Sequence, residues 1–75
     1  MEKTYTILAN EGGKFKALRA GIPRRILGQL FWLARLNLPS VRSFKILCEQ
    51  TGKSSRAMAR LNLDTFNATI DKISE

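Results

Sequence analysis

From Lys3 to Ala9 the chain alternates, with Tyr5, Ile7 and Ala9 on one side and Thr4, Thr6 and Leu8 on the other. Thr, Tyr and Ile suit a pleated, half-buried surface, so this pattern predicts a strand. Asn10-Glu11-Gly12-Gly13 is a turn signal. Lys14 to Arg19 alternates again, setting Phe15 and Ala17 against Lys14, Lys16 and Leu18. The two runs predict a β-hairpin over residues 1–20, closed by a four-residue loop whose glycines supply positive φ angles. A lone hairpin is unstable in water, so this one must pack on the rest of the chain.

After Gly21-Ile22-Pro23 the period changes. Ile26, Leu27, Leu30, Phe31, Leu33 and Ala34 gather on one broad side at about 100° per residue, which predicts a helix with Pro23 in its first turn. Arg25, Gly28, Gln29 and Arg35 fall opposite, and Trp32 falls among them. Past the break at Asn37-Leu38-Pro39-Ser40, the spacing of Val41, Phe44, Leu47 and Cys48 predicts a second helix, capped by Asn37 or Ser40 and ended at Gly52. Ala57, Met58 and Leu61 predict the inner side of a third helix. Phe66, Ile70 and Ile73 predict that of a fourth, with Asp64 as its N-cap. No internal repeat or low-complexity stretch stands out. The expected fold is α+β and mainly helical: one domain, with the N-terminal hairpin followed over 23–75 by a compact three- or four-helix bundle.

Charge sharpens this picture. The chain has 75 residues and a formal net charge of +7. Eleven of its 13 Lys and Arg residues lie between Gly12 and Leu63, with Glu49 the only acid among them. Such a block makes a strong positive field, and nucleic acid is the polyanion a small basic protein meets most often. With no His and a single Cys, Cys48, there is no usual general base, no internal disulfide and no zinc ligand set. The carboxylates show no pairing. The residues therefore favour a binding protein over an enzyme, with no metal, cofactor or small-molecule substrate. Glu2 and Lys3 are not followed by an apolar run, and the most apolar stretch, Ile26–Ala34, is far shorter than the ~20 residues of a membrane span. The expected setting is the cytoplasm of a bacterial or phage-infected cell.

Residues 44–63 resemble a helix-turn-helix unit of small prokaryotic or phage regulators. Cys48 is the small residue four before the turn glycine, Gly52. Met58 and Leu61 stand six and nine after it, and Ser54 stands where the second helix is commonly capped. Lys53 departs from the pattern, which usually has an apolar residue there. The resemblance implies a fold containing a helix-turn-helix-like pair, and duplex DNA as the partner. Lys53, Ser54, Ser55, Arg56, Ala59 and Arg60 would then face the major groove. Arg42, Ser43 and Lys45 would touch phosphates, and Lys14, Lys16, Arg19, Arg24 and Arg25 would extend that footprint.

Two other readings stay open. Trp32 and Arg35 are of the types enriched at protein interfaces, so the second reading is a phage-type inhibitor that docks on an acidic host protein, or a homodimer. RNA or ribosome association is the third, resting on Tyr5 and Phe15 as aromatics on one face of the strand pair.

Overall fold

The computed structural model describes residues 2–75. The elements are β1 (Thr4–Glu11), β2 (Lys14–Pro23), α1 (Arg24–Asn37), β3 (Ser43–Cys48), β4 (Ser54–Met58) and α2 (Leu63–Ile73). The four strands form one antiparallel sheet in the order β2-β1-β3-β4. Both helices lie against one side of it. Neither is long and apolar enough to cross a membrane.

The first hairpin turns more tightly than its sequence suggests. Glu11 pairs directly with Lys14, so Gly12 and Gly13 are the whole loop. Both have positive φ, +60° and +86°, as the turn that matches strand twist requires. Beyond Ala17 the β2 register slips twice, and Gly21 takes a φ of +67° at the second irregularity. The slips let β2 run to Pro23 and aim the chain into α1. Pro23, with φ −69°, precedes the helix without needing an N–H.

The mainly helical expectation is wrong. Residues 44–63, the stretch that resembles a helix-turn-helix, form the hairpin of β3 and β4 and the connection that follows it. Phe44, Ile46 and Cys48 alternate inward, while Ser43, Lys45 and Leu47 face the other way. Leu47 misleads the helical reading, because an apolar residue on the open side completes an i, i+3 spacing that has no helix behind it. Met58, expected in the core, is 52% exposed. In β4 only Ala57 is buried. Gly52, with φ +74°, serves the β3–β4 loop and not a helix end. The last helix does bury Phe66, Ile70 and Ile73, but its N-cap is Asn62, whose side chain accepts from the Thr65 N–H at 2.8 Å.

The architecture is one ββα unit used twice. Arg24 opens α1, and Leu63, 39 residues later, opens α2. The same offset relates Ile7-Leu8 to Ile46-Leu47 and Gly13-Lys14 to Gly52-Lys53, and puts Thr4, Tyr5 and Ala9 in step with Ser43, Phe44 and Cys48. This internal repeat was not apparent from the pattern of helices. The units join at the β1–β3 pair. There Ile7 faces Ile46, and on either side a large residue meets a small one: Tyr5 with Cys48, and Phe44 with Ala9. All six are almost fully buried.

Three rings lock the helices to this seam. Phe31 of α1 stacks on Phe66 of α2, with centroids 4.7 Å apart, and meets Phe44 of β3 edge-on at 5.3 Å. Ile22, Leu27, Ile70 and Ile73 complete the core. The Tyr5 hydroxyl, at 2.6 Å from Ser74 Oγ, ties β1 to the end of α2. Because Phe31 touches both other parts of the ring cluster, Phe31→Ala should cost about 3–5 kcal/mol. A domain this small has about that much stability in total. Chemical denaturation should therefore find the variant largely unfolded at 25 °C. A cooperative transition close to the parent's would show that the ring cluster is not the centre of the core.

Candidate nucleic-acid interface

The helices cover one side of the sheet and leave the other to solvent. On the open side, alternation and register bring together Thr6, Leu8 and Asn10 of β1, Phe15 and Ala17 of β2, Ser43, Lys45 and Leu47 of β3, and Ser54, Arg56 and Met58 of β4. Tyr5 points to the helices and Phe15 to solvent, so the two aromatics do not share a face. Phe15 pairs with Asn10, one step out of phase with the buried positions of β1.

The centre of this surface is a pair of cations. Lys45 and Arg56 are direct cross-strand partners. Like charges so placed repel and weaken a sheet. Neither takes part in a salt bridge; the one found among the described residues joins Arg24 to Asp71 at 3.0 Å. Both lean over Phe15. The Lys45 ammonium is 4.5 Å from the ring centroid and the Arg56 guanidinium carbon 5.5 Å. Attraction to the ring offsets part of the repulsion and holds the charges above the sheet. Beside them, Asn10 Nδ2 donates to Ser43 Oγ at 3.3 Å.

Glu49, the lone acid of the basic block, is fully engaged elsewhere. It accepts from Thr4 Oγ1 at 2.8 Å, Thr6 Oγ1 at 2.7 Å and the Gly21 N–H at 2.7 Å. It thereby pins the end of β3 to β1 and to the irregular stretch of β2. The Gly21 N–H first, then the two hydroxyls, hold its pKa below the usual carboxylate value.

The expected DNA-contacting residues do not share one helix face. Ser54 and Arg56 are on the open side. Ser55 points the other way, beside Ala57, and Lys53 sits in the β3–β4 loop, where its ammonium donates to the main-chain oxygen of Glu75 at 2.7 Å. Ala59 and Arg60 follow β4, and Arg60 and Arg42 flank a cleft with Pro39, Val41 and Met58 at that end of the hairpin. Of the expected phosphate contacts, Ser43 and Lys45 are on the open side. Lys14, Lys16 and Arg19 are in register with Glu11, Ala9 and Ile7, in phase with the covered side. Arg24 and Arg25 belong to α1. Arg24 also donates to the Asn67 carbonyl at 3.3 Å. The footprint inferred from sequence is therefore split between two sides of the molecule. Asn10 belongs to no site expected from the sequence, and Phe15 enters there only beside Tyr5 in the RNA reading, not with Lys45 and Arg56. Their signal was the phase of the second alternating run relative to the first, which only the register of the turn decides.

Compared with known proteins, the chain matches no family model, no curated protein and no solved structure.

The Glu49 linkage has a definite sign. Its folded pKa lies below the unfolded one, so its contribution is fully present above the unfolded value and is lost as pH falls through the folded value. Stability measured by thermal melting should fall as pH drops below about 4.5, the ordinary Glu value. Glu49→Gln should flatten that part of the profile and be less stable than the parent at pH 7. An unchanged acid limb in Glu49→Gln would mean that other carboxylates set it.

Proposed function

We propose that the protein binds nucleic acid on the open side of its sheet, and that it is a binding module and not an enzyme. The observation that carries this reading is the Lys45–Arg56 pair. Two like charges face each other across adjacent strands, no acid bonds to either, and an aromatic ring props both toward solvent. A phosphate backbone gives such a pair the counter-charge the fold withholds. Arg42, beside Met58 at the end of β4, continues the positive surface. Glu49 keeps its negative charge but bonds to Thr4, Thr6 and Gly21 and forms a salt bridge with neither cation.

The shape of the surface favours unpaired strands over a duplex groove. Four strands at about 4.8 Å spacing set the outer two about 14 Å apart before side chains are added, wider than the ~12 Å major groove. A single strand can lie across such a surface, with phosphates on Lys45 and Arg56 and a base on the Phe15 ring as the cations turn to the backbone. A regulator built this way would hold open strands. The groove-reading helix first expected has no counterpart in the fold.

Arg56→Glu separates function from stability. It replaces a repelling cross-strand pair with an attracting one, so the variant should melt no lower than the parent at low salt. Its affinity for a single-stranded oligonucleotide should nevertheless fall sharply. The double variant Lys45→Ala, Arg56→Ala should lower the slope of log affinity against log salt by about 1.4, the share of two phosphate contacts on a single strand. Phe15→Ala should cost about 1–3 kcal/mol of binding. Unchanged affinity and salt slope in folded variants would refute the assignment. Tighter binding to duplex than to single strands would refute the preference.

A further inference from the structure

We infer that the outer face of the helical layer, on the far side from the proposed nucleic-acid surface, is a docking groove for an acidic amphipathic helix of a partner protein. A cleft between α1 and α2 is lined by Arg24, Arg25, Gly28, Trp32, Leu36 and Leu63, among others. Gly28 lines its α1 wall, where a Cβ would make only an ordinary contact, 3.7 Å, with Leu63 Cδ1. Trp32 is 42% exposed, Leu33 51%, Leu36 70% and Leu63 52%, which is much apolar surface for so small a molecule to leave wet. A second cleft continues the first through Trp32 and Leu36 to Arg35, Ala59 and Arg60. From Arg25 to Leu36 the groove follows α1 for about 16 Å, three helical turns.

Charge identifies the occupant. Arg24 and Arg25 stand at one end of this surface, and Arg35 and Arg60 at the other. Asp71 is held by Arg24, and no acid pairs with Arg25, Arg35 or Arg60 among the described residues. The Arg35 guanidinium lies 4.3 Å from the Trp32 ring, and its Nη1 is buried with no hydrogen-bond partner. A carboxylate brought by a partner would give this guanidinium the counter-charge that no acid among the described residues supplies. A second copy of this chain fits poorly. It would set arginines against arginines, and Asp64 is the only acid on either helix other than Asp71. Nucleic acid has little to place on Leu33, Leu36 and Leu63. A helix with apolar residues at i, i+3, i+4 and i+7 and glutamates at both ends satisfies both features.

Trp32 is the only tryptophan, so its emission reports occupancy directly. The probe is a synthetic peptide of about 18 residues with that Leu pattern and Glu at both ends. The control carries Lys in place of Glu. The acidic peptide should shift Trp32 emission to the blue and saturate, and the control should not. Leu36→Asp and, separately, Arg35→Gln should each weaken the response about tenfold or more while far-ultraviolet circular dichroism is retained. Leu36 is so exposed that its replacement should not unfold the chain. Arg56→Glu, on the opposite face, should leave the response unchanged, which keeps this result independent of the nucleic-acid reading. No shift with the acidic peptide would overturn the inference. So would an equal shift with the control, with an oligonucleotide or with phosphatidylglycerol vesicles, and so would a shift on raising the protein concentration alone, which would assign the groove to a second copy.

Discussion

Two short helices can cover only one side of a four-stranded sheet, and everything else about this molecule follows from that shortage. The covered side holds the seam where Ile7 meets Ile46, with Tyr5 against Cys48 and Phe44 against Ala9. Large residues meet small ones across it, so the two ββα units close without leaving a gap or forcing a clash. Phe31 then stacks on Phe66 and meets Phe44, drawing both helices onto the same seam. The other side, which mixes Leu8, Phe15, Leu47 and Met58 with polar and charged residues, has no element left to cover it.

What an open sheet can do depends on its charge. The chain places one acid inside its basic block, and the fold ties that acid to two threonines and a backbone amide. Glu49 therefore acts as a clamp between strands, and no salt bridge joins it to Lys45 or Arg56. Lys45 and Arg56 are left opposite each other, with Phe15 beneath them. This arrangement sacrifices some folding stability at a position where a neutral or acidic residue would fit. Functional surfaces commonly depart from local stability in this way. The helical layer departs from it differently, by leaving Trp32, Leu33, Leu36 and Leu63 uncovered between arginines. The two faces thus offer different chemistry, paired cations over an aromatic ring on one and apolar side chains between arginines on the other.

Parts of this were legible in the residues. Alternation at Thr4–Ala9, the paired glycines at 12 and 13, and the broad apolar side from Ile26 to Ala34 mark β1, the first turn and α1. Phe66, Ile70 and Ile73 mark α2. Ser43–Met58 misled because its strands are short, and because Leu47 and Met58 are apolar on the open side, which blurs period 2 into a helical spacing. The same stretch supplied a glycine, a small residue and two apolar positions at the intervals of a helix-turn-helix, by coincidence. A more reliable signal was present. Thr4–Lys14 and Ser43–Lys53 share Ile-Leu and Gly-Lys at matching positions, so reading one as strand and turn commits the other to the same. The helices of the two units differ in sequence, which hides the repeat from any search led by helical periodicity. The site was half legible. Charge pointed to a polyanion and included Lys45 and Arg56 in the proposed site, but strand register alone puts them on one surface with Phe15 and excludes Lys14, Lys16 and Arg19.

The most direct test of the account is a map of amide and side-chain chemical shifts in uniformly labelled protein titrated with a short single-stranded oligonucleotide. The account predicts that the largest changes fall on Leu8, Asn10, Phe15, Lys45 and Arg56, while Leu33, Leu36 and Leu63 on the helical layer stay still. Changes concentrated on the helices, or spread evenly over every exposed Lys and Arg, would contradict it.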